Sequence, residues 1–337
     1  MSLQDVAERA RVSTATVSRV LNGVDTVKSS TRARVMKAIS DLKYHPNLHA
    51  RSLAGATNKT IGVIVSNLDN PFFLDVYRAV ESDCHAAGYE VVVANTLYRP
   101  EQLTASVRVM LGRRVAGLAL IVSEVDDVLI DELTQGDMPV VLYDVGKAGG
   151  HVTKVSVDYR RGVERVVDYL TSLGHTELGL ISHHAALGPL LDRCSAVLER
   201  ARATNSSATV RQASSEDSLQ GGRAAAAELL STGRPPTAII CVNDIMAVGA
   251  LLEIRERGLQ VPRDISVTGF DDIELAKYCY PPLTTVHIPR DEIGHMVFRT
   301  LARDEKAKEL VGREFAFAPE LVVRDSTGPV RTDRLSL

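Results

Sequence analysis

The chain has no CxxC pair: its four cysteines, Cys84, Cys194, Cys241 and Cys279, are scattered along 337 residues. That spacing suggests neither a zinc site nor a disulfide framework, and the expected compartment is the reducing cytoplasm. No apolar run approaches the roughly 18 to 20 residues needed to cross a membrane. The opening "MSLQDVAERA" is charged and has no apolar h-region, so no signal peptide is expected. The motifs GxGxxG after the first strand, GxxxxGK[ST], GxSxG and HExxH are all missing, and with them the usual signs of an enzyme or a bound cofactor. His183 and His184 are adjacent and cannot readily share one face to hold a metal, so they read as ordinary loop histidines. The paired acids Asp271 and Asp272 point in different directions if one caps a helix, which argues against a catalytic dyad.

What remains is an ordinary globular composition, 45% hydrophobic and 24% charged, on a chain long enough for two or three domains. The net charge of -3 hides an asymmetry. Residues 1–60 hold ten Lys/Arg against four Asp/Glu, net +6, whereas the remainder holds 29 against 38, net -9. A basic head on an acidic body implies a polyanionic partner for the head alone.

In the head, "SLQDVAERARVS" places Leu3, Val6, Ala7 and Ala10 at helical spacing behind Ser2 as N-cap. Arg11 and Val12 make a tight connection, and Ser13 caps a second helix from about Thr14 to Asn22, with Gly23 suited to a left-handed stop. Val17, Val20 and Leu21 bury one face of that helix. The other face offers Thr14, Ala15, Thr16, Ser18 and Arg19, small groups plus one long fork of donors that fit a groove. A third helix at about 30–42 closes a small core with Val35, Ala38, Ile39 and Leu42. Two short helices so joined make a helix-turn-helix, whose second helix enters the major groove by its N-terminal end.

Beyond residue 60, apolar strand-like runs alternate with helical patterns. One series is "IGVIVS", "YEVVVAN", "VAGLALIV" and "MPVVLYD"; the second opens on "TKVSVD" and continues through "ELGLIS", "ATVRQ", "TAIICVN" and "ISVTGFDD". Such alternation implies parallel sheets covered on both faces, and two series imply two doubly wound subdomains. A ligand is expected between them, at the carboxyl ends of the strands. Phe72 and Phe73, Asp158, Asn243, Asp244, Asp271 and Asp272 all fall at those ends. Asp, Asn and Arg together suit vicinal hydroxyls, because they both donate and accept. Asp244 and Asp272, each ahead of a helical pattern, lean toward capping.

The stretches "LQDVAERARVSTATVSRVLNG", "YHPNLHARSLAG", "IGVIVSNLDNPFF", "CVNDIMAVGAL", "VPRDISVTGFDDIELAKYCYPPLTTV" and "ELVVRDST" run through nearly the whole chain in order. In them the chain resembles the lactose/galactose repressor (LacI/GalR) family of bacterial transcription regulators. The resemblance implies a small all-α helix-turn-helix head on an α/β body of periplasmic-binding-protein type I, whose chain crosses between two doubly wound parallel-sheet subdomains three times. It implies a DNA-binding domain at 1–46, a hinge helix and linker at 47–59, and an effector-binding and dimerisation body at 60–330. Within that body the N-subdomain is expected at about 60–158 and 288–318, and the C-subdomain at about 159–287 and 319–330.

On the same resemblance, Thr14 and Ala15 read base edges, Arg19 contacts base and phosphate, and Ser13, Thr16 and Ser18 anchor phosphates. Arg can fork onto guanine, while Thr and Ala methyls suit a thymine methyl. Leu53 matches an apolar wedge in the minor groove with Ala54 beside it; the alternative for Leu53 is an ordinary linker contact. The effector would be held by Phe72, Phe73, Asp158, Arg193, Asn243 and Asp271. Asp271 and Arg193 are expected to face each other across a cleft also lined by Phe72 and Asn243.

The expected partners are operator DNA, a sugar-like effector and a second copy of the chain, with no membrane, cofactor or metal. The pocket also departs from the family pattern. "RCSAV" has Ala196 and Val197 where the family often has glycine and an aromatic, and "SHHAALGPL" lacks the extra basic or threonine contacts of purine-binding members. "SSEDSLQGG" offers Glu216 where an aromatic often covers the pocket, and Asp158-Tyr159 replaces Asp-Asn. The alternatives are a purine-type corepressor, or a soluble sugar-binding or sugar-modifying protein without DNA function.

Overall fold

A computed structural model describes residues 1–21, 26–44, 58–184, 188–231, 233–302 and 305–331. The chain divides into two compact units, residues 1–58 and 59–337.

The first unit contains α1 (Leu3–Ala10), α2 (Thr14–Leu21) and α3 (Ser29–Asp41). α1 begins in a capping box, with the Ser2 hydroxyl accepting from the Asp5 amide and the Asp5 carboxylate accepting from the Ser2 amide. It ends at Arg11, whose φ of 53° turns the chain sharply into α2. The Ser13 hydroxyl accepts from the Thr16 amide and starts α2. Val6, Ala7, Ala10, Val17, Val20, Val35 and Ala38 form the buried core, with Ile39 and Leu42 at its margin. Small and β-branched side chains allow three short helices to close around so little volume. Asn22, Gly23, Leu53 and Ala54 lie outside the described residues.

The second unit begins with β1 (Thr60–Val65), α4 (Pro71–Ala86), β2 (Glu90–Asn95), α5 (Pro100–Gly112), β3 (Gly117–Ile121), α6 (Asp127–Thr134), β4 (Val140–Tyr143) and β5 (Val152–Val157). It continues with α7 (Tyr159–Ser172), β6 (Glu177–His183), α8 (Pro189–Thr204), β7 (Thr209–Ser215), α9 (Leu219–Leu230), β8 (Ala238–Cys241), α10 (Asp244–Glu256) and β9 (Ser266–Thr268). It closes with α11 (Glu274–Tyr278), β10 (Thr285–His287), α12 (Arg290–Leu301), α13 (Glu305–Lys308), β11 (Glu314–Phe317) and β12 (Glu320–Val322).

Two parallel sheets result, of order β11-β5-β4-β3-β1-β2 and β7-β6-β8-β9, with a separate antiparallel pair β10-β12. Both faces of the larger sheet are covered. Ile61, Val63 and Val65 meet α4 and α12, while Ile64, Leu118 and Leu120 meet α5 and α6. Strands buried on two sides must be apolar throughout, which is why they stand out as continuous runs.

One strand joins a different sheet from the one the strand–helix series suggests, and the sheet it joins is that of the N-subdomain expected at about 60–158. β5, which opens the second strand–helix series in the sequence, pairs with β4 and β11 in the first sheet. The chain then passes to the second subdomain at 157–159, returns at 287–290 into α12, which packs on α4, and leaves again between β11 and β12. Gly294 in α12 lies where a Cβ would collide with Ala79 and the Val76 carbonyl, so its lack of a side chain lets the two helices touch.

Candidate functional site

In the head, Val17 and Val20 turn inward and leave Ser13, Thr14, Ala15 and Arg19 exposed, with Thr16 and Ser18 half-buried. The six candidate DNA-contacting residues thus cluster at the start and on the open face of α2. Ser13 and Thr16 hydroxyls are hydrogen-bonded to each other at 3.0 Å. Rigid placement of short donors beside a long guanidinium is what contact with phosphates and base edges requires.

In the body, a cleft opens where the two parallel sheets present their carboxyl ends. It encloses about 510 Å³ of empty space, part of it open to solvent. Asn70 and the start of α4 follow β1, Tyr98 follows β2, Ser123 follows β3, and Tyr143 and Asp144 end β4. From the second subdomain come Tyr159, His183, Leu190, Arg193, Asn243 and Asp271.

The two walls differ in chemistry. On the first, Phe72 packs edge-on against Phe73 at 5.2 Å and at a tilt against Tyr143 at 5.9 Å between ring centres. On the second, the Arg193 guanidinium lies 3.8 Å from the Tyr159 ring centre and 4.9 Å from that of Phe270, and its Nη1 donates to the Val242 carbonyl at 3.0 Å. Arg193 Nη1 is also 4.0 Å from Asp271 Oδ1. Arg193 and Asp271 therefore adjoin on one wall rather than facing each other across the cleft, because both α8 and the loop after β9 belong to the second subdomain. Phe72 lies on the other wall, and Asn243 lies on theirs.

Burial governs the charges here. It pushes the Asp271 carboxyl up to about 7 despite the opposing pull of Arg193 and Arg290, and Asp217 adds to the rise. Asp144 is pushed up to about 6 by burial, against the Val157 amide that donates to it at 2.7 Å. The Tyr143 and Tyr159 hydroxyls, hydrogen-bonded to each other at 2.5 Å, are held well above the ordinary phenol value by burial and then by Asp144. Burial alone would lower the pKa of Arg193, but the surrounding oxygens of Tyr159, Asp271, Tyr143 and Asp144 outweigh it and raise it. His183 is lowered by burial, with Asp217 opposing.

Among the described residues, Asp144 Oδ2 and Arg193 Nε are buried without a hydrogen-bond partner. Both residues line the cleft, but these two atoms are closed off from it, so a polar ligand would satisfy them only with a shift of the side chains.

Of the six candidate effector residues, five line the cleft: Phe72, Phe73, Arg193, Asn243 and Asp271. Asp158 does not. It is exposed, and its carboxylate turns back to accept the Arg161 amide as the N-cap of α7, which puts its neighbour Tyr159 in the cleft instead. Two capping assignments also change. Asn243, not Asp244, caps α10 by accepting from the Met246 amide. Asp244 is fully buried and accepts from the Ile273 amide and the Thr285 hydroxyl, while Asp272 accepts from Arg324 and His287.

His183 is not a loop residue: it ends β6 with its ring 4.9 Å from that of Tyr98. Sequence reading missed Tyr98, Tyr143, Asp144, Tyr159 and the neighbouring Asp217. The available signal was position, since most of these follow a strand directly.

A basic helix-turn-helix joined in one chain to a two-sheet ligand cleft defines a ligand-responsive DNA-binding regulator. Residues 2–47 match the family described as bacterial regulatory proteins, lacI family, and residues 167–327 match a periplasmic binding protein-like domain. The HTH-type transcriptional repressor PurR of Vibrio cholerae serotype O1 is 36% identical over 329 residues, covering 96% of this chain and 97% of that protein. A lac repressor dimer bound to operator and the anti-inducer ONPF is 29% identical with a TM-score of 0.81, over 97% of this chain and 99% of that one. A LacI family transcriptional regulator from Enterococcus faecium, with bound ribose, is 27% identical with a TM-score of 0.71, over 81% and 100%. The chain belongs to the lacI family of bacterial regulatory proteins. It is a transcription regulator rather than an enzyme.

Proposed function

We propose that two copies of this chain bind a pseudopalindromic operator in the cytoplasm as a repressor, and that a sugar or sugar derivative between the subdomains sets their operator affinity. The observation that carries the effector class is the contrast of walls. Flat rings of Phe72, Phe73 and Tyr143 lie opposite a surface of Asp271, Asn243 and Arg193, with Asp144 and Arg193 among the lining residues. Carboxylates outnumber cations among these groups, which favours a ligand rich in hydroxyl donors over an anionic one. The ribose in the Enterococcus faecium regulator supports the same class.

Pairing of two chains is supported by Tyr278 and Tyr280, 74% and 85% exposed, with Leu275 beside them in sequence. The lac repressor dimer on its operator provides the parallel. The DNA roles of Ser13, Thr14, Ala15, Thr16, Ser18 and Arg19 follow from their open face, and Leu53 and Ala54 complete the assignment in the linker.

A nucleobase-type corepressor is the second reading, favoured by the four rings of Phe72, Phe73, Tyr98 and Tyr143 on one side of the cleft. Calorimetric titration with pentoses, hexoses and purine bases, followed by gel-shift with genomic fragments, separates the two. A sugar that binds and alters the shift supports the first reading; a purine base that does so, with every sugar inert, overturns it.

A further inference from the structure

Asp217 does not line the cleft, yet three side chains that do are attached to it. Its Oδ2 accepts from the Tyr98 hydroxyl at 2.6 Å and from Asn70 Nδ2 at 3.2 Å, and its Oδ1 accepts from Asn243 Nδ2 at 2.6 Å. Asn67 Nδ2 adds bonds to Oδ2 at 3.3 Å and to the Asp217 carbonyl at 3.4 Å. Asn67, Asn70 and Tyr98 follow strands of the first subdomain, whereas Asp217 and Asn243 belong to the second. A single carboxylate thus gathers donors from both sides of the opening.

The turn that carries it is firmly built. The Ser218 hydroxyl accepts from the Gly221 amide to cap α9, and the Glu216 carbonyl sits where a Cβ on Gly221 would be, so only glycine admits this turn so close to the helix. Tyr98 is anchored at its other end as well, by the His183 ring of the second subdomain.

We propose that Asp217 is an interdomain latch and a positioning residue for the cleft: it draws the two subdomains together through protein groups alone and aims Asn70, Tyr98 and Asn243 at the ligand. Carboxylates accept up to four hydrogen bonds, and bonds to a charged acceptor are about twice as strong as neutral ones. Three side-chain donors converge on Oδ2 and one on Oδ1, so closure depends on the charge and two-oxygen geometry of this one group. An asparagine could keep its oxygen toward the three donors from the first subdomain only by turning its NH2 against the Asn243 donor.

The role assigned to the three lining residues rests on the reading of the cleft as the effector site, whereas the latch does not. The test therefore begins without ligand. In the full chain, amide hydrogen exchange is followed at residues 67–73 and 243–246 in the parent, Asp217→Asn, Tyr98→Phe and the double variant. Tyr98→Phe keeps the ring contact with His183 and leaves the turn untouched, so it guards against a folding defect in the Asp217 variant. A latch predicts exchange about tenfold faster in each single variant, with the double variant no faster than the faster single one. Unchanged exchange in Tyr98→Phe, or effects that multiply in the double variant, overturns the proposal. A second arm titrates ribose: weaker ribose binding in Asp217→Asn supports the positioning role, and identical binding in parent and variant removes it. A parent that binds no ribose or other sugar, but shows the coupled opening, overturns the effector reading and leaves the latch standing.

Discussion

The head and the cleft are built on opposite plans. In the head, the core of valines and alanines is separate from the reading face, and Thr14, Ala15 and Arg19 are exposed. In the cleft, the recognition groups are themselves buried: Phe72 is 4%, Asn243 5% and Asp271 3% exposed. An exposed set of donors suits a hydrated polyanion, where counterion release supplies much of the affinity. A buried set suits a small neutral ligand, where each hydrogen bond is strengthened by exclusion of water and each unmet one is costly. Head substitutions should therefore alter binding while sparing stability, whereas cleft substitutions should disturb both.

The largest test of this division removes the head. A chain starting near Thr60 is expected to lose operator binding altogether, yet to remain folded and to bind the same effector, as read by gel-shift and calorimetry. Retained DNA binding in that fragment would abolish the distinction. Next in size, Arg19→Ala should weaken operator binding by about 1–3 kcal/mol if the guanidinium forks onto a base. The thermal midpoint and the effector titration should not move, because Arg19 is exposed and contributes nothing to the helical core. In the parent, operator affinity should fall steeply with salt.

The same contrast explains what could be read from the sequence. Core periodicity is written locally, so α1 to α3 and the body strands stand out as patterns of apolar residues. Sheet membership is not local. β5 follows β4 closely and precedes α7, and its pairing with β4 on one side and with β11, more than a hundred residues on, decides where it belongs. Cleft residues directly after strands, such as Asn243 and Asp271, are legible for the topological reason that strand ends converge. Tyr98 and Asp144 also follow strands, but neither stands in a stretch whose residue types single it out, so position alone is the signal for them. Asp217 shows the limit most clearly. Glu216 stands where the family often has a pocket-covering aromatic, but the turn packed against Gly221 leaves Glu216 exposed and gives its neighbour the contacts.

In the cleft, Asp271→Ala should reduce effector affinity by about 1–3 kcal/mol, the penalty for leaving a buried partner without its bond. Basal operator binding should be unaffected if the effector is an inducer, and effector-dependent binding should fall if it is a corepressor. Unlike Arg19→Ala, this change should also shift the thermal midpoint, since the Asp271 carboxyl is buried beside Arg193. An effector titration indistinguishable from the parent's would take Asp271 out of the site.

The smallest expected effect is also the one that most sharply divides the two regions, because it acts on the cleft through pH. Asp271 sits at about 7 in the folded chain against an ordinary value of 3.8, and burial is the cause. A carboxyl raised by folding binds its proton more tightly in the folded state. Its contribution to stability is therefore complete below about 3.8 and is lost as pH rises through about 7. Ligand binding runs the other way: a hydroxyl donates more strongly to the ionised carboxylate than to the acid, so effector affinity should rise between pH 6 and pH 8, by up to about tenfold if Asp271 alone controls it. The Asp271→Asn variant isolates this group from Asp144, which sits at about 6, and from His183. Its effector affinity should be weaker at pH 8 and nearly flat over the interval, and its melting temperature should decline less than the parent's as pH rises. A parent profile that stays flat, or a variant that keeps the parent's slope, would show that the ligand does not donate to Asp271.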